Sequence, residues 1–180
     1  MKLAIFGLSL GIVFTLGLAA GKEEFEPAPD FTLTDVNGEE VTLSDLLANG
    51  PVYLECWDLS CVNCIAELDA LMPVYDSLQD RGLQIVALSV DKPADEARVK
   101  AFVASKEWPY IVLLDQQQAV KKLYNIIIKP TGYLISMDGA IVWTHIGYKK
   151  GDEQKLAEQF RKWLPAEKPA EESEEEKGEE

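Results

Sequence analysis

The chain has 180 residues, 47% of them hydrophobic, which is enough for one ordinary domain with its own core plus chain ends. A net charge of −14 excludes nucleic acid as a partner, because no basic face is available to neutralise phosphates. Three cysteines are too few for a disulfide framework.

Met1-Lys2 precedes eighteen uncharged residues, Leu3 to Ala20, and Lys22-Glu23-Glu24 closes the run. A positive start followed by an apolar stretch is an export signal. As a helix it would span about 27 Å, just short of the ~30 Å hydrocarbon core. Residues 1–20 therefore read as a signal peptide cleaved after Ala19 or Ala20, or as a retained membrane anchor. Residues 21–29 are polar and proline-bearing, a short linker. From Phe31 to Leu43 the pattern alternates on both sides of Asn37-Gly38, a hairpin signal. Ser44 to Leu47 is a short capped helix, closed by Asn49-Gly50-Pro51.

Pro51 to Trp57 is a strand-like run, Asp58-Leu59-Ser60 a turn, and an amphipathic helix follows with Ile65, Leu68, Leu71, Met72 and Tyr75 at helical spacing. Ser60 is its expected N-cap, and Asp80-Arg81-Gly82 its expected end. Leu83 to Val90 is a near-continuous apolar run, as suits a strand covered on both faces. Pro93 to Lys106 reads as a helix with Val99, Phe102 and Val103 inward. Tyr110 to Leu114 is a short strand and Gln117 to Tyr124 a short helix. Thr131 to Ser136 and Ala140 to Ile146 flank Asp138-Gly139 as a second hairpin. Asp152 to Leu164 is the closing helix, with Leu156, Phe160 and Trp163 on one face. Strands alternating with helices, then a terminal hairpin and helix, indicate an α/β sheet covered on both faces, one domain over residues 30–165. Residues 166–180 are a disordered acidic tail. From Glu167 onward there are eight glutamates, two lysines and no apolar side chain larger than alanine. Such a run cannot bury enough surface to offset its ordering entropy.

Cys61-Val62-Asn63-Cys64 opens the central helix. A thiol in the first helical turn faces unpaired backbone N–H groups and the positive end of the helix dipole, which favour thiolate over thiol. The thiolate is the nucleophile of disulfide exchange, and a cysteine three residues on can close a disulfide within one turn. Cys56, alone in the preceding strand, reads as a small core hydrophobe.

In this setting the chain resembles the TlpA/ResA-type thiol–disulfide oxidoreductases of the cell envelope, within the AhpC/TSA-redoxin group. The resemblance runs from residue 27 to 164. It rests on Ala28-Pro29-Asp30-Phe31 with Asn37-Gly38, and on Cys61-Val-Asn-Cys64-Ile-Ala-Glu67-Leu. Ser89-Val90-Asp91, Lys100-Ala-Phe102, Pro130-Thr131-Gly-Tyr-Leu-Ile135 and Asp138-Gly139 complete it. It implies a thioredoxin fold, a mixed β-sheet flanked by helices with an added N-terminal hairpin. It implies Cys61 as attacking thiolate and Cys64 as resolving thiol. Glu67 and Glu55 would be buried acids passing a proton to or from Cys64. Pro130 would be a cis-proline facing the disulfide, with Thr131 and Trp57 beside it as substrate-binding residues. Protein thiols or disulfides are the implied substrates, apocytochrome c haem-site cysteines among them, and a membrane thiol carrier the implied electron donor. No cofactor beyond the redox-active disulfide is implied, and no metal. The chain departs from the family at three places: Ser60 stands for the tryptophan before the first cysteine, Asn63 for the proline before the second, and Cys56 for an aromatic.

Rival readings weigh less. A peroxiredoxin shares the Ala-Pro-Asp-Phe opening, but residues 51–60 lack its Pro-x-x-x-Thr. A copper chaperone of this fold needs C-x-x-x-C and a histidine by the proline loop. Here the one histidine, His145, lies in the last strand, as a neutral core or surface residue. A structural zinc site lacks two ligands. A non-catalytic binding module with a structural disulfide also stays open.

Overall fold

The computed structural model describes residues 25–166. Residues 1–24, including the run read as an export signal, and residues 167–180, read as an acidic tail, lie outside the described residues. Among the described residues, eight strands and five α-helices follow in chain order. These are β1 (Glu26–Pro27), β2 (Thr32–Thr34), β3 (Glu40–Thr42), α1 (Leu43–Leu47), β4 (Val52–Trp57), α2 (Val62–Leu78) and β5 (Gln84–Ser89). Then come α3 (Glu96–Lys106), β6 (Ile111–Leu114), α4 (Ala119–Leu123), β7 (Thr131–Ile135), β8 (Ala140–Ile146) and α5 (Asp152–Trp163).

Six strands form one mixed sheet in the order β1-β8-β7-β4-β5-β6. The β4–β5–β6 half is parallel, and β7, β8 and β1 add antiparallel neighbours. β2 and β3 make the separate N-terminal hairpin, whose turn needs Gly38 at φ +93°, a conformation glycine adopts without a Cβ clash. This is the mixed sheet flanked by helices that the family resemblance implies.

The central strands are apolar throughout because both faces are covered. Along β4 the side chains alternate. Tyr53 and Trp57 enter the core under α2, α3 and α5 with Leu68, Leu71, Leu156 and Phe160. Val52, Leu54 and Cys56 enter the opposite core with Phe31, Leu43, Val120 and Tyr124. A Glu at position 55 therefore lies on the α2 face by strand parity.

The structure corrects three local expectations. Glu26 and Pro27, inside the stretch read as linker, form an edge strand on β8. Thr42 rather than Ser44 precedes α1. The N-cap of α2 is Cys61, not Ser60, whose backbone N–H and hydroxyl both donate to Asp58 Oδ1 instead.

Candidate active site

β4 ends at Trp57, the chain turns through Asp58–Ser60, and α2 starts at Val62, so the two cysteines straddle a helix N-terminus. They form a disulfide across one turn, with Cα atoms 5.3 Å apart. The Cys64 N–H donates to Cys61 Sγ at 3.3 Å, the capping bond that would hold a thiolate once the pair is reduced. Cys61 is half-buried and Cys64 fully buried, so an incoming sulfur meets Cys61 first. Cys64 Sγ lies 3.7 Å from the Cys56 carbonyl oxygen, an acceptor that a Cys64 thiol finds only in the dithiol form.

The turn is fastened on two sides. Leu59 N–H donates to both Asp91 carboxylate oxygens at the end of β5, and Asp58 pairs with Lys129, next to Pro130. The Lys129–Pro130 bond is cis. Thr131 pairs with Cys56 in the β4–β7 register, so the proline loop lies directly beside the strand that carries the cysteine turn.

Beneath the disulfide is a buried carboxylate cluster. Glu67 lies one helical turn beyond Cys64, and Tyr53 Oη donates to its Oε1 at 2.9 Å while Oε2 has no partner. Burial pushes the Glu67 carboxyl up to about 8, against the lowering effect of the Tyr53 bond. Glu55 is fully buried in mid-strand, and neither of its oxygens has a partner. Burial first, and the neighbouring Glu67 second, hold its carboxyl well above the usual carboxylate range. A buried carboxyl without a hydrogen-bond donor keeps its proton rather than stay ionised. Glu55 is therefore protonated at neutral pH in the disulfide form, and burial favours the protonated form of Glu67 as well, despite its Tyr53 bond.

Comparison with known proteins bears on this arrangement. The AhpC/TSA family model matches residues 25–144. The chain belongs to the AhpC/TSA family. Within it, the thiol–disulfide oxidoreductase ResA of Bacillus anthracis is 33% identical over 145 residues, 78% of this chain and 82% of that one. ResA of Bacillus subtilis is 33% identical over 137 residues, covering 74% and 75%. Among solved structures, a Chlorobium tepidum protein assigned as a thiol:disulfide interchange protein DsbE superposes with a TM-score of 0.72 at 27% identity, over 81% of this chain and all of that one. This AhpC/TSA member is a ResA-type thiol–disulfide oxidoreductase with the thioredoxin fold, and Cys61–Cys64 is its cysteine pair.

The structure brings Cys61, Cys64, Glu55, Glu67 and Pro130 to one end of the sheet. It does not leave Trp57 or the Thr131 side chain free for substrate. Trp57 is fully buried, packed edge-on against Trp108 at 5.0 Å and beside Phe102. Strand parity puts it on the Glu55 face, under the helices, rather than at the surface. Thr131 is buried too, and its hydroxyl donates to the Ile128 carbonyl, bracing the proline loop. Exposed apolar side chains instead come from Val62, Ile127, Ile128 and Ile146. Two members of the cluster escaped the sequence reading. Tyr53 shares Glu55's strand parity, which was a usable signal. His145 approaches Glu67 only through tertiary structure. Among the described residues no group of three or more His, Cys, Asp or Glu side chains is placed to hold a metal, and no helix is long and apolar enough to cross a membrane.

Proposed function

We propose that this enzyme is exported and acts as a protein-disulfide reductase. Its substrates are disulfides between cysteines of unfolded or partly folded proteins, such as the haem-site cysteines of apocytochrome c, and its electrons come from a membrane thiol carrier. Export rests on the uncharged run from Leu3 to Ala20, which holds the enzyme at the outer face of the cytoplasmic membrane or releases it there.

The observation that carries the reading is the asymmetry of the pair: a half-buried Cys61 at a helix N-terminus, above a buried Cys64 flanked by proton-bearing glutamates. Cys61 thiolate attacks the substrate disulfide, forming a mixed disulfide and releasing one substrate thiolate. Cys64 then gives its proton to the Glu67 carboxylate, with the still-protonated Glu55 beside it, and its thiolate attacks Cys61 Sγ. The Cys61–Cys64 bond forms and the second substrate thiolate leaves. The exposed isoleucines at positions 127 and 128 and the backbone of the Pro130 loop offer an extended segment apolar contact and pairing groups.

Trapping with Cys64→Ser in the native envelope tests this. The expected result is a set of mixed disulfides on Cys61, absent when Cys61 is also replaced. A lack of adducts, together with a reduction potential below about −300 mV, would mark the disulfide as structural and overturn the proposal.

A further inference from the structure

His145 is the one histidine in the chain. It lies in a cross-strand row in which Glu55 of β4 pairs with Gly132 of β7, and Gly132 with His145 of β8. Side chains in such a row point to the same face of the sheet. That face is the one under α2 and α5, and glycine in the middle leaves it open. A Cβ on Gly132 would stand 2.0 Å from Tyr53 Oη. Tyr53 instead reaches across this gap to Glu67 Oε1, and His145 approaches the same oxygen. Its Nε2 lies 3.9 Å from Glu67 Oε1, too far for a hydrogen bond, and has no other partner. Its ring stacks on Trp143 at 5.4 Å. Its outer side lines an open groove with Tyr148, Lys149, Asp152 and Lys155. A buried imidazole nitrogen without a partner, 3.9 Å from a buried carboxyl whose second oxygen also has none, is a pair built for one more proton.

Proton accounting during the redox cycle says when that proton arrives. In the disulfide form Glu67 is neutral, and burial holds the His145 imidazole below its usual midpoint, so neither is charged at neutral pH. A thiolate of a dithiol donor attacks Cys61 Sγ, the Cys61–Cys64 bond breaks, and Cys64 leaves with the electron pair and takes the Glu67 proton. The donor's second thiol, deprotonated to solvent, attacks the mixed disulfide. Cys61 leaves as thiolate, the donor becomes a disulfide, and two electrons have moved to the pair. Glu67 is now a carboxylate in a fully buried position. Its one neutralising hydrogen bond is from Tyr53, and Glu55 beside it has no charge to offer in compensation.

We propose that His145 is a redox-linked proton acceptor, neutral while Cys61–Cys64 is a disulfide and protonated from the groove once the pair is reduced and Glu67 is ionised. The histidine is a positioning residue: it touches neither sulfur, and acts by stabilising the carboxylate that next takes the proton back from Cys64. The inference rests on the reading that Glu67 exchanges a proton with Cys64. The groups facing the imidazole give the sign. Asp152 of α5 favours its protonation, while Lys155 of α5 opposes it. Lys149 at the groove also opposes it, Tyr148, Tyr53 and a protonated Glu55 are uncharged, and among these facing groups only Glu67 changes charge with the oxidation state.

A single histidine gives an unambiguous NMR titration. The Cε1 proton of His145 is followed against pH in the full-length protein, with the pair oxidised and then reduced by a dithiol reagent, and free thiols are counted in each sample. The expected result is a midpoint higher by about one to three pH units in the dithiol form, the range for a new opposite charge at this distance. Glu67→Gln should abolish the difference and Asp152→Asn should preserve it. Between the two midpoints the disulfide–dithiol equilibrium should shift tenfold more per pH unit than in His145→Gln, one extra proton per pair reduced. A pair that cycles while the wild-type midpoint stays fixed overturns this inference alone. A difference that persists in Glu67→Gln also overturns it, assigning the charge elsewhere. A disulfide that resists the dithiol reagent overturns the functional reading and this one with it.

Discussion

Replacing Glu67 by Gln should make this protein more stable at alkaline pH, although it alters a residue of the site. The amide keeps the shape, its carbonyl still accepts the Tyr53 hydroxyl, and only the titrating proton is removed. The sign follows from linkage. The folded carboxyl titrates at about 8 against an ordinary 4.5, so the native state binds the proton more tightly than the unfolded chain. Stability from this source is fully present below about pH 4.5 and is lost as pH rises through 8. One pH unit is worth about 1.36 kcal/mol, so the whole climb corresponds to roughly 5 kcal/mol, of which roughly 3 is gone by pH 7. Against a typical total of about 5–15 kcal/mol this is easily seen. Urea unfolding with the disulfide intact, followed by tryptophan fluorescence between pH 5 and 8, should show wild-type stability falling by about 1.4 kcal/mol per pH unit or more. Glu55 adds to the slope in the same direction, because its carboxyl is raised as well. The Gln variant should lose one proton's share of that slope, lie within ~1 kcal/mol of wild type at pH 5 and overtake it by several at pH 8. Parallel curves for the two proteins would refute the buried, proton-bearing Glu67.

Four further outcomes follow from the same geometry. Tyr53→Phe should cost about 1 kcal/mol and raise the Glu67 midpoint further, because the phenol bond is what holds that carboxyl down; the pH at which the stability slope ends reads this out. Gly132→Ala should destabilise by about 1–3 kcal/mol, since its Cβ would collide with Tyr53 Oη and the ring carbons beneath it, and its cost should shrink in a Tyr53→Ala background. Lys129→Met should lower stability by roughly 1.5–3 kcal/mol and slow disulfide exchange, because Asp58 loses the partner that joins the cysteine turn to the proline loop; thermal unfolding and an insulin-reduction assay measure the two effects. In the reduced protein, alkylation rate against pH should reveal one thiol titrating below ~8.5, abolished in Cys61→Ser; equal reactivity of both cysteines would remove Cys61 from its role.

The fold was legible where local chemistry decides it. Asn37-Gly38 and Asp138-Gly139 supply the positive φ that tight hairpins need, and both hairpins form where the alternation predicts. The near-continuous apolar run from Leu83 to Val90 became β5, central and covered on both faces. Boundaries failed where a side chain had two local uses. Ser60 satisfies every compositional preference for an N-cap, yet Asp58 two residues earlier captures its hydroxyl, and the sulfur of Cys61 takes the cap. Glu26–Pro27 could not be read as a strand, because two residues carry no period and only the β8 edge gives them a partner.

The site divides the same way. Cys61 caps the helix that carries Cys64 and Glu67, so their spacing alone puts each within a turn of the next, and the resemblance supplied Pro130. Trp57, which the resemblance implied as a substrate-binding residue, is instead tied by period-two parity to Glu55 and Tyr53 under the helices. Applied consistently, that parity sorts β4 into a proton-handling face and an apolar face that carries Cys56. There burial, against the lowering pull of Lys129 and Lys121, pushes the thiol up to about 12, so that this third cysteine stays inert beside two reactive ones. No comparable rule reaches His145, since its partner is set by how β8, β7 and β4 register across the sheet. The partners of Glu67, Tyr53 and His145, thus come from the sheet, while the carboxyl and the cysteine pair come from the helix. Gly132 is where the two meet, because the side chain it lacks is the space through which Tyr53 reaches Glu67.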